Sequence, residues 1–357
     1  MSRSYRPHDL HAAGTPLTLA AHGFFWTGAE RIALASGPAL RGQTYVEYWI
    51  PQDLAHPLPI VMIHGGGGQG TDMLGTADGR EGWAKWFVRQ GYAVYVIDRP
   101  GHGRAPYHPD VLGPMTPAGG ATFLEQMFCK PEEHPEFYPQ AKRHDKWPGA
   151  GKTGDACFDQ FLAGTGPAQA DLAQSNIDAQ RGGVDLLDRI GPAILLTHSA
   201  GGPAGWLIAD ARPDLVRGLI AVEPLGPPVK AIAGALAYGL AAAPLTYHPP
   251  VADPSELRFE LRPAPHADLI DCFVQAEPAR TLPNLRMPIV VVTAEASWMA
   301  ADNHGMVDYL VQAGAPAEHL RLEDHGVHGN GHAMMLETNS DDVARVIEGW
   351  IRAKGLA

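Results

Sequence analysis

Ala193-Ile194-Leu195-Leu196-Thr197-His198-Ser199-Ala200-Gly201-Gly202 is the stretch on which the reading of this chain turns. A short, unbroken apolar run of this kind suits a strand buried on both faces. Ala200, Gly201 and Gly202 then permit a tight strand-to-helix turn. Such a turn would strain Ser199 and lift its hydroxyl above the sheet. The helix that begins near Gly201 would favour negative charge developing at its N-terminus. Ser199 therefore reads as a nucleophile, although Thr197 stands where Gly-x-Ser-x-Gly would have its first glycine.

Working outward, the same apolar pattern recurs at residues 59–63, 92–97, 218–222 and 288–292, with a further strand at 319–323. Helical segments lie between or after these runs, one of them with Trp83, Trp86 and Phe87 on one face. Alternation of buried strands and helices predicts an α/β fold with a mostly parallel central sheet, flanked by helices and joined by right-handed crossovers. Two strand-like runs, 23–34 and 43–51, precede it, separated by a turn at Ser36-Gly37-Pro38. A last helix is predicted with Ser340 as N-cap, Gly355 at its end, and Val343, Val346, Ile347, Trp350 and Ile351 as its apolar stripe. Residues 1–21 read as an N-terminal extension and 22–357 as one domain. Two long stretches, about 105–171 and 225–287, break the alternation and are expected to fold over one end of the sheet as a lid.

The composition narrows the function. A chain of 357 residues with 45% hydrophobic and 18% charged residues is globular. A net charge of -12 makes nucleic acid an unsuitable partner. Cys129, Cys157 and Cys272 are too few for a disulfide scaffold and form no Cys-x-x-Cys, so only a single bridge between Cys129 and Cys157 stays open. The N-terminal residues lead into no signal-like apolar run. Apolar stretches such as 231–245 fall short of the roughly 20 residues a membrane helix needs. A cytoplasmic location with no membrane partner is expected, and a homodimer is the general expectation for a soluble enzyme.

A nucleophilic serine needs a base. Asp324-His325-Gly326-Val327-His328-Gly329-Asn330-Gly331-His332 follows the last predicted strand and precedes the final helix. His332, nearest the helix, is the favoured base. A rival reading makes His325, His328 and His332 the zinc ligands of a metal-dependent hydrolase, against which the spacing is not helical and no zinc motif accompanies it. A hydrolase-fold lyase is a second rival. The orienting carboxylate is Glu223 or Glu295, each at the end of a strand and each compatible with the order Ser, Glu, His. Gly65-Gly66-Gly67-Gly68 after the first buried strand can bring backbone N–H groups to a substrate oxygen, with Gly66, or else Gly65 or Gly67, acting alongside the N–H of Ala200. No Gly-Lys-Ser/Thr follows, which argues against a nucleotide site. Asp98 reads as a turn residue partnered by Arg104. Candidate pocket residues are Gly65, Gly67, His198, Trp298 and Met334.

These pieces, in this order, resemble the α/β-hydrolase superfamily and, within it, the bacterial esterase 713 family. The resemblance rests on Gly65 to Gly70, Asp78-Gly79-Arg80-Glu81-Gly82-Trp83, Tyr92-Ala93-Val94-Tyr95-Val96, Thr197-His198-Ser199, Val222-Glu223-Pro224 and His328-Gly329-Asn330-Gly331-His332. It implies carboxylic-ester hydrolysis without a cofactor, lactones being within the same chemistry. It also selects Glu223 over Glu295 as the acid and His332 as the base.

Overall fold

A computed structural model describes residues 5–12, 14–226 and 236–357. Part of the second long stretch, 227–235, lies outside the described residues, as does the start of the apolar segment 231–245. Eight strands form the central sheet: β1 (Leu19–Thr27), β2 (Thr44–Pro51), β3 (Ile60–Ile63), β4 (Val94–Asp98), β5 (Ala193–His198), β6 (Val216–Val222), β7 (Ile289–Thr293) and β8 (Ala317–Arg321). Their spatial order is β1-β2-β4-β3-β5-β6-β7-β8. β2 is antiparallel to both β1 and β4, and all pairs from β4 onward are parallel.

Successive side chains of a strand face opposite sides, so continuous apolar strands feed two cores at once. Ile60, Met62, Ile194, Leu196, Ile220, Val222, Val290 and Val292 point to one side. There they meet α1 (Trp83–Arg89) and α5 (Ser340–Ala353). Val61, Ile63, Leu195, Leu219, Ala221, Ile289 and Val291 point to the other, against α2 (Leu172–Ile190), α3 (Gly202–Ala211) and α4 (Asn303–Gln312). At about 1.5–3 kcal/mol for each fully buried aliphatic side chain, these two layers carry the fold and hold the strand ends in register.

Several boundaries differ from the sequence reading. The run 23–34 divides into β1 and a separate strand, Glu30–Leu34, because the chain leaves the sheet at Gly28, whose N–H donates to Asp185 of α2 at 2.8 Å. Glu30–Leu34 pairs in a hairpin with Gly37–Arg41, so Gly37 and Pro38 stand in a strand rather than in the turn. β1 begins at Leu19, inside the stretch read as an extension. β8 ends at Arg321, after which Leu322–His325 turns as a 3-10 helix. Ser340 is the first residue of α5, not its cap. Its hydroxyl accepts from Arg80 at 3.1 Å and its carbonyl from Trp83 Nε1 at 2.9 Å, leaving Asn339 in the cap position. The apolar stripe of α5 is buried at Val343, Ile347, Trp350 and Ile351. The three cysteines are free.

Candidate active site

β5 and β6 lie side by side, with His198 paired to Val222. The residue after each is forced out of the strand: Ser199 has φ 50° and Glu223 φ 42°. A left-handed backbone costs an L-residue roughly 1–2 kcal/mol, and no other non-glycine residue among those described has a positive φ. Ser199 opens a 3-10 turn that runs into α3, as the strand–turn–helix reading requires. Gly201 is obligatory there, since a side-chain carbon would lie 2.6 Å from the His64 carbonyl oxygen. Ser199 is half-buried, and no described group hydrogen-bonds its hydroxyl.

Glu223 is fully buried and faces His332, whose Nδ1 lies 2.5 Å from Oε2. Donation from Nδ1–H leaves Nε2 with the lone pair. The carboxylate also accepts from the Ala294 N–H at 2.8 Å and from Ser297 Oγ at 2.7 Å. Burial pushes Glu223 above the ordinary carboxylate range, while those two donors pull against it. Burial pushes His332 well below the ordinary imidazole range. Trp298 lies against the His332 ring at 4.1 Å between centroids, and the His198 ring at 4.6 Å. His198 Nε2 donates to the His332 carbonyl at 3.0 Å, which fixes the tautomer with Nδ1 free, and burial holds the ring neutral against the pull of that bond.

The loop after β3 closes the other side. A side-chain carbon at Gly65 would fall 3.1 Å from Ser199 Cβ, and one at Gly66 would fall 3.2 Å from Ala200 Cβ. The backbone of Gly65 and Gly66 thus lies directly over the Ser199 turn. Asp98 pins the far end of this loop, accepting from the Gly70 N–H at 2.5 Å and from Arg104 Nε at 2.7 Å, in keeping with its reading as a turn residue.

Glu295 is not beside His332. It accepts from the Gly329 N–H at 2.8 Å and lies 3.4 Å from His328, so it supports the preceding loop. His325 and His328 are exposed while His332 is buried against Glu223, and the three rings do not converge. Among the described residues no group of three side chains is arranged to hold a metal.

A cavity of about 230 Å³ opens beside the loop, lined by Gly65 to Gly68, Asp72, His198 and, from the first long stretch, Phe123, Leu124, Phe128 and Phe161. Gly65, Gly67 and His198 are among its lining residues. Trp298 and Met334 do not: Trp298 is spent on the His332 ring, and Met334 is sealed in the core by the sheet face. The described part of the second long stretch supplies none of the lining, although its first residue, Leu225, donates its N–H to the Ser199 carbonyl at 2.8 Å. Its Leu240, Ala243 and Leu257 join the core on the α2–α4 side.

Sequence reasoning missed the groups that hold His332 in place. Glu337 is fully buried and accepts from the Gly331 N–H at 2.9 Å and from Asn330 Nδ2 at 2.7 Å. His144 bridges it to Glu132, at 2.9 and 3.0 Å. These two carboxylates overcome burial and raise His144 to about 9. No local pattern marks the bridge, because His144 and Glu337 lie 193 positions apart in the chain.

The sequence pattern of the α/β hydrolase family matches residues 60–346. The chain is an α/β hydrolase. It is 40% identical over 314 residues to the probable secreted lipase phiG of a fungal species (strain ATCC 74256), covering 86% of this chain and 85% of that protein. It also shares its fold with a novel bacterial esterase of known structure, at a TM-score of 0.60 and 23% identity, over 96% of this chain and 98% of the other. The α/β hydrolase described here has no helix, among the described residues, that is long and apolar enough to cross a membrane. The cytoplasmic expectation gains no support from a relative described as secreted.

Proposed function

We propose that this α/β hydrolase is a serine carboxylester hydrolase working through an acyl-enzyme. Ser199 Oγ attacks the ester carbonyl carbon while His332 Nε2 takes its proton. The N–H groups of Gly66 and Ala200 receive the oxyanion. His332 then returns the proton to the departing alcohol as the carbon–oxygen bond breaks. Water repeats the sequence to release the acid. Glu223 keeps His332 in the Nδ1–H tautomer and balances its transient charge. The observation that carries this reading is the 2.5 Å contact between Glu223 and His332 at strand ends adjoining the strained Ser199.

The first long stretch is proposed as the lid, since its phenylalanines wall the cavity. At about 230 Å³ the cavity is smaller than the ~300–1,000 Å³ of a pocket for a drug-sized ligand. Short acyl groups and small lactones fit it best, and a lipase's long chains would need the lid to open. No cofactor enters this scheme. The test combines fluorophosphonate labelling with p-nitrophenyl esters of increasing chain length. Wild type should be labelled at Ser199 and prefer short chains. Ser199→Ala should fold, escape labelling and lose turnover down to the ~10³–10⁴-fold residual acceleration of binding and oxyanion contacts. Undiminished kcat in folded Ser199→Ala would sink the reading.

A further inference from the structure

Arg99, the residue after β4, is buried with 5% of its surface exposed, and no carboxylate pairs with it among the described residues. Its Nη2 donates to the Gly65 carbonyl at 2.7 Å, and its Nε has no partner. Burial alone draws its pKa down to about 10. An unpaired buried cation weakens a fold, because no partner charge repays its desolvation. Proteins break such packing rules chiefly where function requires it.

The surroundings show what the charge acts on. The backbone N–H of Arg99 donates to His64 Nε2 at 3.0 Å, which makes Nε2 the unprotonated nitrogen. His64 Nδ1–H therefore donates to the same Gly65 carbonyl, at 2.8 Å. One carbonyl thus receives a guanidinium and an imidazole N–H. The peptide unit that carries this oxygen carries the N–H of Gly66 at its other end. Hydrogen bonds in series polarise one another, by perhaps ~10–30% per bond in a low-dielectric site.

We propose that Arg99 is a positioning residue of the oxyanion site: through the Gly65 carbonyl it polarises the Gly65–Gly66 peptide and strengthens the Gly66 N–H as a donor to the oxyanion. This rests on Ser199 as nucleophile and Gly66 as oxyanion donor. The bond is made to the backbone and not to substrate, so the gain is felt where negative charge develops. It raises kcat and leaves ground-state binding alone. When Arg99 is replaced, the Gly65 carbonyl keeps His64 as a donor, so the loop retains a tether.

The test compares Arg99→Met and Arg99→Lys in the full chain by steady-state kinetics on p-nitrophenyl butyrate, inhibition by phenylboronic acid and thermal unfolding. Losing an oxyanion donor outright costs ~10²–10³ in kcat, so weakening one should cost about tenfold. Arg99→Met should show that loss with KM nearly unchanged, a matching loss of boronic acid affinity, and a Tm equal to or above wild type. Arg99→Lys should recover part of the rate. Arg99→Gln, which keeps a donor and drops the charge, replaces the Met variant if that fails to fold. Unchanged kcat, or a fall that only follows lost stability or a raised KM, overturns the proposal. Fluorophosphonate labelling separates the two levels. Unlabelled wild type defeats the nucleophile reading, whereas wild type and Arg99→Met labelled at equal rates defeat the role of Arg99 alone.

Discussion

Ser199 and Glu223 occupy equivalent places on neighbouring parallel strands: each follows one of the paired residues His198 and Val222, and each takes a positive φ. The two cores hold β5 and β6 in register, so this strained pair is set by the sheet itself. Backbone strain persists only where the surroundings impose it. Here both strained residues stand at the C-terminal ends of adjacent strands in the middle of the sheet.

Glu223→Gln should lower kcat by about 10⁴, by analogy with the amide replacement of a triad acid. An amide can donate to Nδ1 and so stabilise the wrong tautomer. Glu295→Gln should cost far less, since Glu295 holds the Gly329 N–H and not His332. Steady-state assays of both variants, each checked for folding, decide it. A dead Glu295→Gln beside a normal Glu223→Gln would reverse the assignment.

Activity should persist into mild acid. The base works when unprotonated, and an unperturbed imidazole titrates near 6.5. Burial moves His332 below that range, so the imidazole takes up its proton only at lower pH. The acidic limb of the kcat/KM profile should therefore lie below pH 6.5. Burial also raises Glu223, and the two touching groups titrate as a pair, so a limb centred above 6.5 would show that Glu223 sets it.

The His144 bridge should make stability fall toward alkaline pH. Burial works against the His144 cation, but Glu132 and Glu337 outweigh it and raise its pKa to about 9. A raised folded-state value gives stability that is complete below about 6.5, the unfolded value, and is lost as pH climbs through 9. The loss is on the order of a few kcal/mol. Denaturant unfolding at pH 6 and pH 9.5 should show this decline in wild type and a much flatter one in His144→Gln. The variant should also lose kcat, because Glu337 holds the Gly331 N–H next to His332.

Gly182→Ala should destabilise the protein by about 1–3 kcal/mol through overpacking, although alanine is the better helix former by up to ~1 kcal/mol. The added carbon would lie 2.0 Å from Thr44 Oγ1, where α2 presses on β2. Chemical denaturation compares the two. A gain in stability would mean that the contact relaxes freely.

By itself the sequence determined the fold class and singled out Ser199 as the proposed nucleophile. Apolar runs too continuous for a half-exposed strand imply a parallel sheet covered on both sides, and Ser199 between an apolar strand and small residues implies the strained turn. Both are local signals, carried by adjacent residues. The choice of acid was different. Glu223 and Glu295 both follow strands, and only the resemblance of the chain to known esterases separated them. In the structure, the Glu223–His332 contact spans 109 positions of chain and depends on how β6, β7 and the loop after β8 stack. The supports of that contact, Ser297, Glu337 and His144, lie still further from any readable pattern, because a buried carboxylate is recognised by what surrounds it in space. The same holds for Arg99. In the sequence it is one basic residue in a turn, and only packing reveals a guanidinium with no counter-charge among the described residues, pressed against the carbonyl of Gly65.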